Sequence, residues 1–478
     1  MLKHLGAAVA VALTLPIPAL ADSAEEIAAI RREMEAMRAA YEARLQALER
    51  RLQSAEAATA ASAQTAASAA NAPPPAAAAA PALPPAATAA PPSAAEPATA
   101  TSGGATAFNP SISLILSGLY TRTSRDPALY GIGGFPLPPG AEIGPGTRGL
   151  SLAESELGFA ASIDPWLRGA ANVAIGADNS VSVEEAYVQT TSLGAGLSLK
   201  AGRFFSGIGY LNPQHSHAWD FVDSPLAYQA MLGTQYGDDG VQLRWLPPID
   251  QFVELGVEVG RGRGFPGTDT SRNGAGMFAL TAHVGGDIGE SHSWRAGVSM
   301  LDAKASDQAL VGFDPAGSSV AQSFSGRTRV WVADAVWKWA PNGNATRTNF
   351  KLQGEYLQGT RSGDLVYDVG GADLASTYRV RQSGWYVQGV YQFMPRWRLG
   401  ARAEQLDSGT PDYGINTGLI PVQTERPRKG SLMLDFNPSE FSRVRLQVAR
   451  DRAREGFTDT QWFLQYQMSL GAHGAHAY

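Results

Sequence analysis

Between Thr460 and Leu470 the chain reads Thr-Gln-Trp-Phe-Leu-Gln-Tyr-Gln-Met-Ser-Leu, and the alternation there constrains the fold more than any other feature. On an extended backbone Trp462, Leu464, Tyr466, Met468 and Leu470 share one face, while Gln461, Gln465, Gln467 and Ser469 share the other. One face suits lipid and the other water, over a length matching a bilayer-crossing strand. A soluble strand can alternate in the same way, but here the pattern recurs from about residue 111 to the end. The sequence therefore predicts an all-β transmembrane barrel of about sixteen antiparallel strands.

The N-terminal segments place that barrel. Lys3, an apolar run from Ala7 to Leu20, and Ala19-Leu20-Ala21 read as a signal peptide over 1–21. The chain has no cysteine, which excludes a lipoprotein anchor and a disulfide framework. No stretch after the signal has eighteen consecutive apolar residues, the length a spanning helix needs (about 20). A mean hydropathy of -0.14 fits a barrel that hides its apolar residues at alternate positions. The expected address is the Gram-negative outer membrane, in contact with its lipid and lipopolysaccharide.

Three further segments follow by composition. In 22–56, Ile27, Ile30, Met34, Met37, Tyr41, Leu45, Leu48 and Leu52 form a coiled-coil seam with one stutter after Tyr41. A helix of this length is marginal alone, so self-association is expected, with a homotrimer as the assembly. Residues 57–106 are an Ala/Pro-rich disordered linker, interrupted by Pro73-Pro74-Pro75, Pro84-Pro85 and Pro91-Pro92. Coil and linker are expected in the periplasm, and 107–478 is the outer-membrane β-barrel.

Within the barrel, short turns such as Asp164-Pro165-Trp166, Leu246–Asp250, Met394-Pro395-Arg396 and Asn437-Pro438-Ser439 alternate with longer stretches. The latter are expected as external loops at 124–149, 205–236, 304–326, 360–380 and 407–428, with short exceptions near Asn179 and Arg454. Short periplasmic turns and long external loops are the outer-membrane pattern. Charged residues fall on the water-facing register: Glu254, Glu258, Arg244, Lys351, Glu355, Arg398, Arg402, Arg443 and Arg445 are expected to line a pore. A lipid-facing Arg or Lys would cost about 2–4 kcal/mol at mid-bilayer, and sixteen strands leave room for an aqueous channel. Acidic and basic residues concentrate on different strands, which would set a transverse field across the lumen.

The stretch Gly202–Tyr236 carries His215, His217, Trp219, Asp220, Phe221 and Asp223, an unusual content for an external tip. It is expected to fold inward as a constriction loop. His215, His217 and Asp220 could ligate zinc, because an extended His-x-His places both rings on one side. His473 and His476 form a second such pair. Zinc is the only cofactor these residues suggest.

Gly202-Arg203-Phe204-Phe205-Ser206-Gly207-Ile208-Gly209 resembles the strand end that leads into the constriction loop of the phosphate-selective porin O/P group. Gln235-Tyr236-Gly237-Asp238-Asp239-Gly240-Val241-Gln242-Leu243-Arg244-Trp245 and the ending Ser469–His476 are similar to barrels identified as zinc-regulated TonB-dependent outer-membrane receptors. The first resemblance implies a channel for passive diffusion of small hydrophilic or charged solutes. The second implies an uptake protein for a metal or metal complex. Residues 22–106 offer a helix and a linker in place of a plug domain, so diffusion is the primary reading. No catalytic constellation is expected: His292 sits between Ser291 and Ser293 in a periplasmic turn, and Arg261-Gly262-Arg263-Gly264 lacks the strand-to-helix setting of a phosphate loop. No nucleic-acid partner is expected.

Overall fold

The structure is a computed structural model that describes residues 110–270, 273–316, 318–422 and 426–471. The expected signal peptide, coiled coil, linker and terminal His473/His476 pair lie outside the described residues.

Alternation makes strands, and the strands pair in chain order. The first are β1 (Ser111–Thr123), β2 (Gly149–Leu152), β3 (Ser155–Ser162), β4 (Leu167–Ile175), β5 (Val181–Thr190) and β6 (Leu197–Phe205). The next are β7 (Gly237–Trp245), β8 (Phe252–Gly260), β9 (Met277–Ile288), β10 (His292–Phe313) and β11 (Ser319–Trp339). The last are β12 (Asn349–Tyr367), β13 (Leu374–Met394), β14 (Trp397–Asp407), β15 (Arg428–Ser439), β16 (Ser442–Arg452) and β17 (Asp459–Gly471). Each pairs antiparallel with its neighbours, and β17 closes on β1 with Leu114 opposite Leu470 and Thr121 opposite Phe463. β2 and β3 both pair with β1 and form a single span, broken where Ala153 and Glu154 bulge. The result is a closed sixteen-span barrel without a free edge.

The outer wall is apolar and the inner wall polar. Val257, Val259, Leu280, Trp331, Leu352, Tyr356, Trp385, Val387, Trp462 and Leu464 are exposed on the outside. Their sequence neighbours Glu258, Glu355, Gln388, Gln461 and Gln465 are buried within. This is the arrangement that a polar interior and a lipid exterior select.

Three turn and loop expectations shift. The stretches 304–326 and 360–380 are mostly strand, with β10 to β13 running 19–22 residues and leaving only 314–318 and 368–373 as connections. Their polar and glycine content concealed a second apolar cluster: Ala305, Leu310, Phe324, Leu365, Tyr378 and Val380 bury together with Ile420. A bilayer needs about 9–11 residues per strand, so this part of the wall stands clear of the membrane. Asn437-Pro438-Ser439 belongs to β15, and the turn is Glu440-Phe441. A register shift after Phe436 lets Asn437 donate its N–H to the Arg396 carbonyl at 2.8 Å.

Between β6 and β7 runs the loop 206–236, which enters the barrel. It contains the short helix α1 (Leu226–Leu232), all of whose residues are buried, ended by Gly233 at φ 65°. That left-handed cap is where glycine carries no Cβ penalty. Ile208, Leu211, Trp219, Tyr228, Met231 and Tyr236 form one core with Ile132, Phe135 and Leu137 of the first loop and wall residues Val330, Leu357, Tyr386 and Leu406. Apolar side chains that would be stranded at an external tip are thereby removed from water.

Candidate functional site

The loop is held along its length by wall residues, and the character of the wall changes as the loop crosses. Near its start, the Glu258 carboxylate accepts from the Ser206 hydroxyl at 2.6 Å, the Gly207 N–H at 2.8 Å and Gln242 Nε2 at 2.7 Å. Glu355 accepts from the Tyr210 and Leu211 N–H groups at 3.2 and 3.0 Å and from the Tyr228 and Tyr386 hydroxyls at 2.8 and 2.5 Å. These wall carboxylates thus satisfy backbone donors that irregular structure leaves without strand partners. Asn212 fastens the loop's base, donating to the Ser206 and Tyr236 carbonyls and accepting from the Tyr236 N–H.

The turn at Ser216–Ala218 then sets two imidazoles against an acidic wall. His215 Nδ1 lies 3.2 Å from Glu184 Oε2 and 3.3 Å from Glu156 Oε2, and its Nε2 lies 3.0 Å from Glu185 Oε2. His217 Nδ1 is 2.9 Å from Glu156 Oε2, and the two rings stack at 5.6 Å. The Ser216 hydroxyl bonds Glu154. Burial alone would lower the His215 pKa, but Glu156, Glu184 and Glu185 outweigh it and raise it well above the ordinary histidine value.

Past Trp219 the wall is basic. Asp220 pairs with Lys351 Nζ at 2.5 Å and Arg398 Nη1 at 3.3 Å. Asp223 pairs with Lys429 Nζ at 2.6 Å and Arg402 Nη2 at 2.8 Å, and Gln447 donates to it at 2.9 Å. Arg443 and Arg445 donate to the His217 and Trp219 carbonyls at 2.6 and 3.0 Å, and Arg445 also holds Asp435 at 2.8 Å. Burial by itself would raise both loop aspartates; Lys351 and Arg398 at Asp220, and Arg402 and Lys429 at Asp223, reverse this and hold both below the usual carboxylate range.

Of the nine residues read as pore lining, seven meet the loop directly: Glu258, Lys351, Glu355, Arg398, Arg402, Arg443 and Arg445. Arg244 and Glu254 instead pair with each other, and Glu254 also contacts His283 Nδ1 at 3.3 Å. One expected grouping is corrected. Asp220 does not join His215 and His217, because Lys351 and Arg398 draw it to the basic wall. The carboxylates beside the histidines come from β3 and β5.

Two partners escaped the sequence reading. Glu185 should face lipid if Glu184 faces inward, but a bulge pairs Asn172 with Glu185 and Val173 with Val183, bringing both glutamates to His215. Lys429 adjoins a long loop, yet it shares the inward register of Ser431, Met433 and Asp435, and that alternation was the available signal.

No family model matches the chain. A protein of Aquifex aeolicus (strain VF5), described as uncharacterized, is 30% identical over 410 residues, covering 78% of this chain and 80% of its own. The chain belongs to the same family as that protein. Among solved structures it is similar to in-vitro folded OmpT, an outer membrane protein of Vibrio cholerae, at 10% identity and a TM-score of 0.46, covering 78% of this chain and 100% of that one. It is also similar to the outer membrane channel DcaP of Acinetobacter baumannii, at 14% identity and a TM-score of 0.44, covering 77% and 99%.

Proposed function

We propose that the protein is an outer-membrane porin-type channel passing small hydrophilic or charged solutes by passive diffusion, with the loop 206–236 setting its size limit. The observation that carries this reading is the loop's attachment, inside a closed barrel, to a wall of charged groups. A loop bound across the interior of a sixteen-span barrel narrows the route a solute can take. The acidic wall of β3 and β5 and the basic wall of β12 and β14–β16 would orient a dipolar solute as it passes. The resemblance of Gly202–Gly209 to the strand end before a porin constriction loop supports the same reading. Assembly as a homotrimer through 22–56 belongs to this proposal, as does the periplasmic side of the N-terminal segments.

Uptake by an energised receptor is the competing reading, and conduction separates the two. Purified protein inserted into planar bilayers should give stepwise ionic currents without any energy source, and a salt gradient should give a reversal potential reporting its charge preference. Silent bilayers after verified insertion would favour the receptor.

A further inference from the structure

On the acidic wall a single ring nitrogen faces two carboxylates at once. His215 Nδ1 stands 3.2 Å from Glu184 Oε2 and 3.3 Å from Glu156 Oε2. Four ligands at roughly 2.0–2.2 Å from a tetrahedral ion are separated from one another by about 3.3–3.6 Å. His215 Nδ1 stands at close to that spacing from both carboxylates, and the ligand atoms of His215, Glu156 and Glu184 all lie within 4.8 Å of one another. His217 Nδ1, 2.9 Å from Glu156 Oε2, instead hydrogen-bonds that carboxylate and holds it in place, leaving a three-ligand set whose fourth position is open to solvent.

A second observation comes from the far side of the His215 ring. Its Nε2 lies 3.0 Å from Glu185 Oε2, and Glu185 is itself fixed by accepting the Phe205 N–H at 3.1 Å. A metal-bound histidine typically gives its other ring N–H to a carboxylate, which orients the ring and strengthens it as a ligand. The bulge that turns both Glu184 and Glu185 inward supplies a ligand from one and that outer partner from the other.

We infer that His215, Glu156 and Glu184 form a binding site for a divalent transition-metal cation of the zinc and nickel class, with Glu185 and His217 as its positioning residues. Mixed imidazole and carboxylate ligation suits that class, whereas magnesium and calcium take oxygen ligands alone. The site ties the loop to the wall at a point where Asp220 plays no part. Binding is independent of conduction, so the inference stands or falls separately from the channel reading.

The test uses the full-length protein in detergent, stripped by chelator and titrated calorimetrically with zinc, nickel and magnesium chlorides. Zinc and nickel should each bind one ion per chain, with magnesium at least tenfold weaker. H215A and E184Q should each abolish that event, and E185Q should weaken it about 10- to 100-fold. The H473A/H476A variant should keep the parental affinity. Circular dichroism and heat-modified gel mobility confirm that each variant is folded. If H215A or E184Q fails to fold, the visible spectrum of the cobalt(II)-loaded parent decides, with tetrahedral nitrogen/oxygen ligation expected. Absence of zinc binding by the folded parent would overturn the inference. So would binding that survives H215A and E184Q, binding lost with H473A/H476A, equal affinity for magnesium, or an octahedral cobalt spectrum.

Discussion

Asp223 in the inward loop and Arg402 on β14 meet at 2.8 Å, while Lys429 holds the other carboxylate oxygen at 2.6 Å. The three side chains are almost fully buried, and without Asp223 each cation would keep a single carboxylate, Arg402 the Glu404 group at 2.8 Å and Lys429 the Asp451 group at 3.4 Å. Breaking a buried pair that leaves a charge wholly unpaired costs about 3–5 kcal/mol, and with Glu404 and Asp451 still in place the loss here should be smaller. Asp223→Asn should therefore release this part of the loop. Single-channel conductance should rise and the reversal potential in a salt gradient should move toward anions. Unchanged current would show that this contact does not limit the pore.

The same carboxylate predicts a pH dependence. Its folded pKa is depressed by Arg402 and Lys429 against the opposing effect of burial. Its contribution is then fully present above the unfolded aspartate value, about 3.9, and is lost as pH falls toward the lower folded value. The part of the loop's protection that Asp223 supplies, measured by proteolysis or hydrogen exchange as the difference between the parent and Asp223→Asn, should be constant down to about pH 5 and decline below about 4.

Gly209 has φ 65°, and a Cβ added there would run into the Glu355 carboxylate and the Tyr228 hydroxyl. Gly209→Ala combines a left-handed backbone with the displacement of an acceptor that serves four donors. A cost of about 1–3 kcal/mol is expected from the backbone alone. Thermal unfolding should shift down while the barrel still inserts. An unchanged midpoint and unchanged conductance would show that the Glu355 anchor is dispensable.

The barrel was legible because its signal repeats: Val257 against Glu258, or Leu464 against Gln465, states the same rule on every strand. The loop's inward course was legible from Trp219 and Phe221, which have no place at a hydrated tip. What it touches was not. Alternation assigns one face per residue, and a single bulge at Glu184 suspends the assignment, hiding Glu185. Nor does chain order tell which wall a loop residue reaches: Asp220 lies three residues from His217, yet it crosses to Lys351 while the histidine stays with Glu156. Strand length was also obscured, since the upper parts of β10–β13 pack loop residues and not lipid.

Deleting residues 22–56 should lower the oligomer size in native mass measurement and leave barrel insertion intact, because the apolar seam from Ile27 to Leu52 and the strands are separate sources of cohesion. An oligomer that survives the deletion would place the assembly contact on the barrel wall.

The lipid face can be tested at one residue. Val257 sits near the middle of β8, 41% exposed, beside Glu258, which is 1% exposed. An Arg at such a position on the outer face would cost about 2–4 kcal/mol if it meets the bilayer midplane, and about 0–1 near an interface. Val257→Arg should therefore lower folding stability in vesicles by the larger amount, while folding in short-chain detergent micelles, which reorganise around a charge, should suffer less. Equal small losses in both media would mean that Val257 lies at the membrane edge and that the whole span has been set too deep.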